Sequence, residues 1–145
     1  MLSRFERFSY ALFDISRSWH KIATDVMEDH GLKGPHSIYL ITLQRHPEGI
    51  TATALGDLCC KDKADVSRMM SLMQEKGLVT KDGGNYRGLL RLTPKGQEVA
   101  KRVNERATQA VDMGGDGLTD MDREVFYAAL ERIAANLRTV SESGL

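Results

Sequence analysis

Residues 50–92 read ITATALGDLCCKDKADVSRMMSLMQEKGLVTKDGGNYRGLLRL. Ile50-Thr51 is a short extended piece, and Thr51 or Thr53 is placed to cap a short helix whose core residues are Leu55 and Leu58, because a hydroxyl ahead of a helix accepts from its first free N–H groups. Asp62 caps the next helix, with Asp65 three residues on in a variant of the capping box. That helix runs to about Lys76 and stops at Gly77. Val66, Met69, Met70 and Met73 form its inner side, the methionines filling irregular gaps. Leu78 to Lys81 reads as a strand, Asp82-Gly83-Gly84-Asn85 as a turn cluster and Tyr86 to Leu92 as a second strand, which makes a hairpin. A short strand, two helices joined by a tight turn and a hairpin are the layout of a winged helix-turn-helix.

The second helix of such a pair fits the major groove of duplex DNA, and the side chains suit that task. Lys61, Lys63, Ser67 and Arg68 lie around the start and outer face of the 62–76 helix. Its N-terminus is expected to add free N–H groups and a positive dipole end, both attractive to phosphate. Lys81, Asn85 and Arg87 are long or polar groups on the hairpin. The chain carries no net charge, yet residues 61–102 hold ten basic and five acidic residues, a local excess of +5. A positive face on a neutral protein follows from that asymmetry.

Outward from the middle, both flanks are helical. Phe5, Phe8, Leu12, Ile15, Trp19, Ile22 and Val26 recur at alternating spacings of 3 and 4, one apolar stripe along a long helix. Gly31 ends it, and Pro35 opens a second helix with Ile38, Leu40, Ile41 and Leu43 on its apolar side. His46-Pro47-Glu48-Gly49 breaks that helix. After the hairpin, Thr93-Pro94 starts a helix to roughly Met113, and Gly114-Gly115-Asp116-Gly117 interrupts it. Thr119, with Asp122 at the capping-box position, opens a last helix striped by Phe126, Leu130, Ile133, Leu137 and Val140. Two long heptad-like stripes need more apolar partner surface than one short middle region offers, which points to a homodimer. The expected fold is therefore mainly α with a small β-hairpin wing (α+β). One domain spans 1–145, with the winged helix-turn-helix at about 35–93 and dimerisation helices at about 3–30 and 94–141.

Composition agrees with a single domain. The chain has 145 residues, 41% hydrophobic and 28% charged, enough to bury a core without staples. No apolar run approaches a membrane span, and the charged N-terminus does not suit a signal peptide, so a cytoplasmic protein with no membrane partner is expected. Cys59 and Cys60 are then reduced thiols. Cys59 falls on the inner side of its helix, and Cys60 sits at the turn before the next one. A thiol at that turn offers an alternative function, redox sensing, in which oxidation displaces the helix from DNA. The histidines at 20, 30, 36 and 46 form no ligand pair, so no metal is expected. No phosphate loop, nucleophile elbow or spaced carboxylate pair is present, and neither an enzyme nor a cofactor is expected.

The run Asp62-Lys63-Ala64-Asp65-Val66-Ser67-Arg68, followed by Glu75-Lys76-Gly77-Leu78-Val79, resembles the MarR family of bacterial regulators. Leu92-Thr93-Pro94-Lys95-Gly96 and Gly117-Leu118-Thr119-Asp120 are similar to that family too, in the same order, across roughly residues 3–140. The resemblance implies a homodimer that binds a palindromic operator, usually as a repressor, and releases it when a small aromatic or lipophilic effector binds. The implied DNA-contacting residues are Thr53, Lys61, Lys63, Ala64, Asp65, Ser67, Arg68, Lys81, Asn85 and Arg87. Trp19, His36 and Tyr39 lie where the family's effector pocket usually forms. This sequence departs from the family in lacking the wing's Asp-x-Arg, so only Arg87 stands near the family's wing arginine, and in carrying Leu72 at an often basic position. Asp65, at a base-facing position, would accept from a cytosine amino group. A winged-helix module for protein contacts, without DNA binding, is the other alternative.

Overall fold

The computed structural model describes residues 1–83 and 88–145. It starts with α1, Arg4–Glu28, opened by a reciprocal cap. The Ser3 hydroxyl accepts the Glu6 N–H at 3.1 Å, and the Glu6 carboxylate accepts the Ser3 N–H at 2.8 Å, which satisfies two otherwise orphaned donors. Gly31 takes a left-handed φ of 68° just past the helix. A single 3-10 turn, Gly34–His36, carries Pro35 and leads into α2, Ser37–Gln44. A Cβ on Gly34 would lie 2.5 Å from the Thr24 hydroxyl oxygen, so this turn packs directly on α1.

The buried side of α2 is Tyr39, Leu40 and Leu43. Ile38, expected on that side, is 39% exposed. An eight-residue helix that is apolar nearly all round carries no period sharp enough to centre its inner face. The same correction applies to α3, Ala52–Cys59. Thr51 is its cap, accepting the Ala54 N–H at 3.2 Å. Leu55 is fully buried, but Leu58 is 58% exposed and Cys59 takes the inner position. Four residues turn a helix by about 400° and three by about 300°, so Cys59 lies closer to the Leu55 azimuth than Leu58 does.

Cys60 closes α3 in the left-handed region, at φ 55°. Asp62 then caps α4, Lys63–Glu75, which buries Val66, Met70 and Met73, with Met69 packed beside them. The wing is β1, Val79–Asp82, antiparallel to β2, Leu89–Leu92, in the register Val79↔Leu92 to Asp82↔Leu89. Ile50 adds a bridge to Leu90, with N···O distances of 3.1 and 2.8 Å. The expected second strand from Tyr86 is shorter among the described residues, and residues 84–87 lie outside them.

Thr93 joins the wing to α5, Pro94–Gly114. Its hydroxyl donates to the Gly77 carbonyl at 2.5 Å and accepts the Gly96 N–H at 3.0 Å. A Cβ on Gly96 would stand 2.0 Å from the Leu78 carbonyl oxygen. Only glycine permits that approach of helix to wing root. The core is one cluster drawn from α1 to α5, including Met27, Tyr39, Leu40, Leu55, Met73, Leu90 and Val103.

The chain divides into two units, Met1–Thr108 and Gln109–Leu145. The second holds α6, Asp120–Ser143, opened by a reciprocal box between Thr119 and Asp122. Arg123 donates to the Gly115 carbonyl at 2.9 Å and pairs with Asp112 at 3.7 Å, bracing the glycine turn. No residue of α6 is buried, and its stripe of Phe126, Leu130, Ile133, Leu137 and Val140 is exposed. In the first unit, Phe5, Phe8, Leu12, Ile15, Trp19 and Ile22 of α1 are exposed as well. Among the described residues, no helix is long and apolar enough to cross a membrane.

Candidate nucleic-acid interface

The outer face of α4 is built by subtraction. Val66, Met70 and Met73 turn into the core. Lys63, Ala64, Ser67, Arg68, Ser71 and Gln74 are therefore left exposed on the opposite side. The Arg68 side chain is 68% exposed.

A cleft runs between α3, α4 and the wing. It is lined by Thr53 from the first turn of α3, Lys61 from the inter-helix turn, Lys63 and Ser67 from α4, and Lys81 from β1. Five residues singled out from the sequence thus meet in one concavity. Ser71 and Gln74 line it too. They continue the Lys63 and Ser67 stripe one and two turns on, a periodicity that was available in the sequence. Ala64 and Arg68 lie on the same exposed face of α4. Asn85 and Arg87 lie outside the described residues.

One donor at the start of α4 is taken within the chain. The Asp62 carboxylate accepts the Asp65 N–H at 2.7 Å. The chain's own anion thus satisfies that donor and sits at the positive end of the helix. Asp65 is also engaged within the chain. One oxygen accepts from the Tyr39 hydroxyl, and the other accepts from the Arg68 guanidinium at 3.5 Å. The Tyr39 hydrogen bond, followed by that from Arg68, holds the Asp65 carboxyl below its ordinary range despite partial burial.

The three effector candidates do not meet in one pocket. Trp19 lines a narrow apolar pocket with Ile22, Val26, Ile41 and Val103. Tyr39 is fully buried elsewhere in the core, and its phenol is held up by burial and then by Asp65. His36 is buried and its Nδ1 accepts the Lys33 N–H at 3.3 Å. Of the cysteines, Cys59 is buried with its thiol 3.4 Å from the Thr42 hydroxyl, and burial pushes its pKa up. Cys60 is exposed at the turn. Among the described residues, no group of three or more histidine, cysteine or carboxylate side chains is placed to hold a metal ion.

The arrangement has solved counterparts. A MarR transcriptional regulator from Methanosarcina mazei Go1 superposes with a TM-score of 0.84 at 20% identity, over 96% of this chain and 94% of that one. A MarR protein from Peptoclostridium difficile gives 0.83 at 23% identity, over 96% and 94%. A Listeria monocytogenes protein described as a MarR family transcriptional regulator, solved with a 26mer DNA, gives 0.80 at 22% identity, over 99% and 97%. Among curated proteins, none matches the chain. Residues 30–88 match the family model described as MarR family, and the chain as a whole has the winged-helix fold of MarR-family transcriptional regulators.

Proposed function

We propose that this chain is a sequence-specific regulator of transcription that binds a palindromic duplex as a homodimer, one α4 per subunit in the major groove. The observation that carries the reading is the exposed face of α4. It presents Lys63, Ser67 and Arg68, and it is continuous with a cleft to which Thr53, Lys61 and Lys81 contribute. Lysines supply phosphate contacts that set affinity and salt dependence, and Arg68 supplies groove readout. Asp65 contributes through its partners rather than as a base acceptor. The apolar stripes of α1 and α6, exposed in the single chain, support the homodimer. Repression relieved by a small lipophilic effector is carried over from the family resemblance, and the narrow apolar pocket beside Trp19 would have to open to admit such a molecule.

The test is fluorescence anisotropy on the duplex upstream of the chain's own gene and on a scrambled copy, at about 150 mM salt. The native chain binds the first selectively. Changing Lys63→Ala together with Arg68→Ala lowers that affinity by about tenfold or more, while circular dichroism stays unchanged. Full affinity in the double variant contradicts the assignment of α4 as the reading element.

A further inference from the structure

Tyr39 is fully enclosed by the core, yet its ring ends in a hydroxyl. A buried phenol without an acceptor is destabilising. The acceptor here is an Asp65 oxygen on the first turn of the recognition helix. Asp65 is only 32% exposed, and its second oxygen faces the Arg68 guanidinium at 3.5 Å. A chain of contacts therefore leads from the middle of α2, through the carboxylate, to an arginine on the groove-facing surface. The bond to Tyr39 spans 26 residues of sequence, so it ties two separate helices together. The low position of the Asp65 carboxyl and the high position of the Tyr39 phenol keep acceptor and donor in the required states at neutral pH.

We propose that Tyr39 and Asp65 are positioning residues for Arg68: the core hydroxyl fixes the carboxylate, and the carboxylate fixes the guanidinium that reads the groove. The proposal rests on the DNA-binding reading above. An exposed arginine has many rotamers, and ordering it on the DNA costs side-chain entropy. One anchored nitrogen restrains the planar fork before DNA arrives and leaves the other donors for a base edge. Sequence choice at that base pair is then set partly from inside the core.

The experiment selects bound duplexes from a random-sequence pool with the native chain, Tyr39→Phe, Arg68→Ala and the double variant. The temperature is one at which urea titration finds all four folded. Phenylalanine keeps the ring and removes only the hydroxyl. The native chain enriches a motif, and Arg68→Ala loses preference at one base pair of each half-site by about tenfold or more. Tyr39→Phe weakens preference at that same pair by roughly threefold, half a decade in an equilibrium constant. It leaves the other positions, and binding to one unrelated fixed duplex, unchanged. The double variant matches Arg68→Ala. A Tyr39→Phe motif identical to the native one, a uniform loss at all positions, or additive effects of the two changes overturns the proposal. A native chain that enriches no motif removes the DNA-binding reading and the proposal together, so the two failures are told apart by the native lane alone.

Discussion

At the scale of single residues, His36 ties stability to pH. It is buried, and burial lowers its pKa below the ordinary 6.5. Asp65 opposes that shift, while Lys33 and Lys61 reinforce it. Its Nδ1 already accepts the Lys33 N–H, a bond that a proton on that nitrogen would break. The native state therefore refuses a proton that the unfolded chain accepts. Stability from this group is complete above about pH 6.5 and falls as pH drops from there toward the lower folded value. Urea midpoints at pH 7.5 and pH 5.5 should show the loss. His36→Gln, which keeps an acceptor without the titration, should reduce the difference. An equal difference in both proteins would refute the role of His36. Asp65 is shifted in the same direction, its carboxyl lowered from 3.8 by Tyr39 first. Its contribution is present above that value and disappears only in stronger acid.

At the scale of elements, Arg91 holds the wing root. Its guanidinium pairs with Asp82 across the hairpin and donates to the Glu48 carbonyl at 2.7 Å. Both wing strands are thereby fixed to the loop ahead of α3. Arg91→Ala removes two charge-assisted bonds worth about 1–1.5 kcal/mol together at this half-exposed site. Amide exchange at Leu90, whose N–H donates to Ile50, should quicken by about tenfold. Unchanged exchange there would show that the strands hold without the arginine. These elements were legible from sequence to different depths. The caps at Thr51, Asp62 and Thr119 could be read because an oxygen and its N–H partner lie within three residues. The inner faces of α2 and α3 could not be centred, since eight residues give barely two turns of pattern. In the candidate interface Lys63, Ser67 and Arg68 followed from the start and outer face of α4, Lys61 and Lys81 from the turn and the wing beside it, and Thr53 from the family resemblance alone. The Tyr39 to Asp65 bond followed from none of these, because nothing local in residues 37–44 names a partner 26 positions away.

At the scale of the whole molecule, the proposed function requires a second copy. Phe126, Leu130, Ile133, Leu137 and Val140 form one exposed stripe on a helix that buries nothing within the single chain. Such contiguous apolar surface marks an interface in a stable protein. An Ile133→Asp change places a charge in that stripe. It should convert a dimer to a monomer in sedimentation equilibrium and lower operator affinity by about a hundredfold or more, since the half-sites are then bound separately. A monomeric native chain would contradict the assignment of the stripe. In the proposed dimer the spacing of the two recognition helices must match the repeat of the duplex. Hydroxyl-radical footprinting of the native chain on its selected duplex measures that spacing. Two protected segments in an inverted repeat are expected, centred about one helical turn, roughly 10 base pairs, apart or a multiple of it. A single protected segment, or protection with no fixed position, would contradict the proposed dimer.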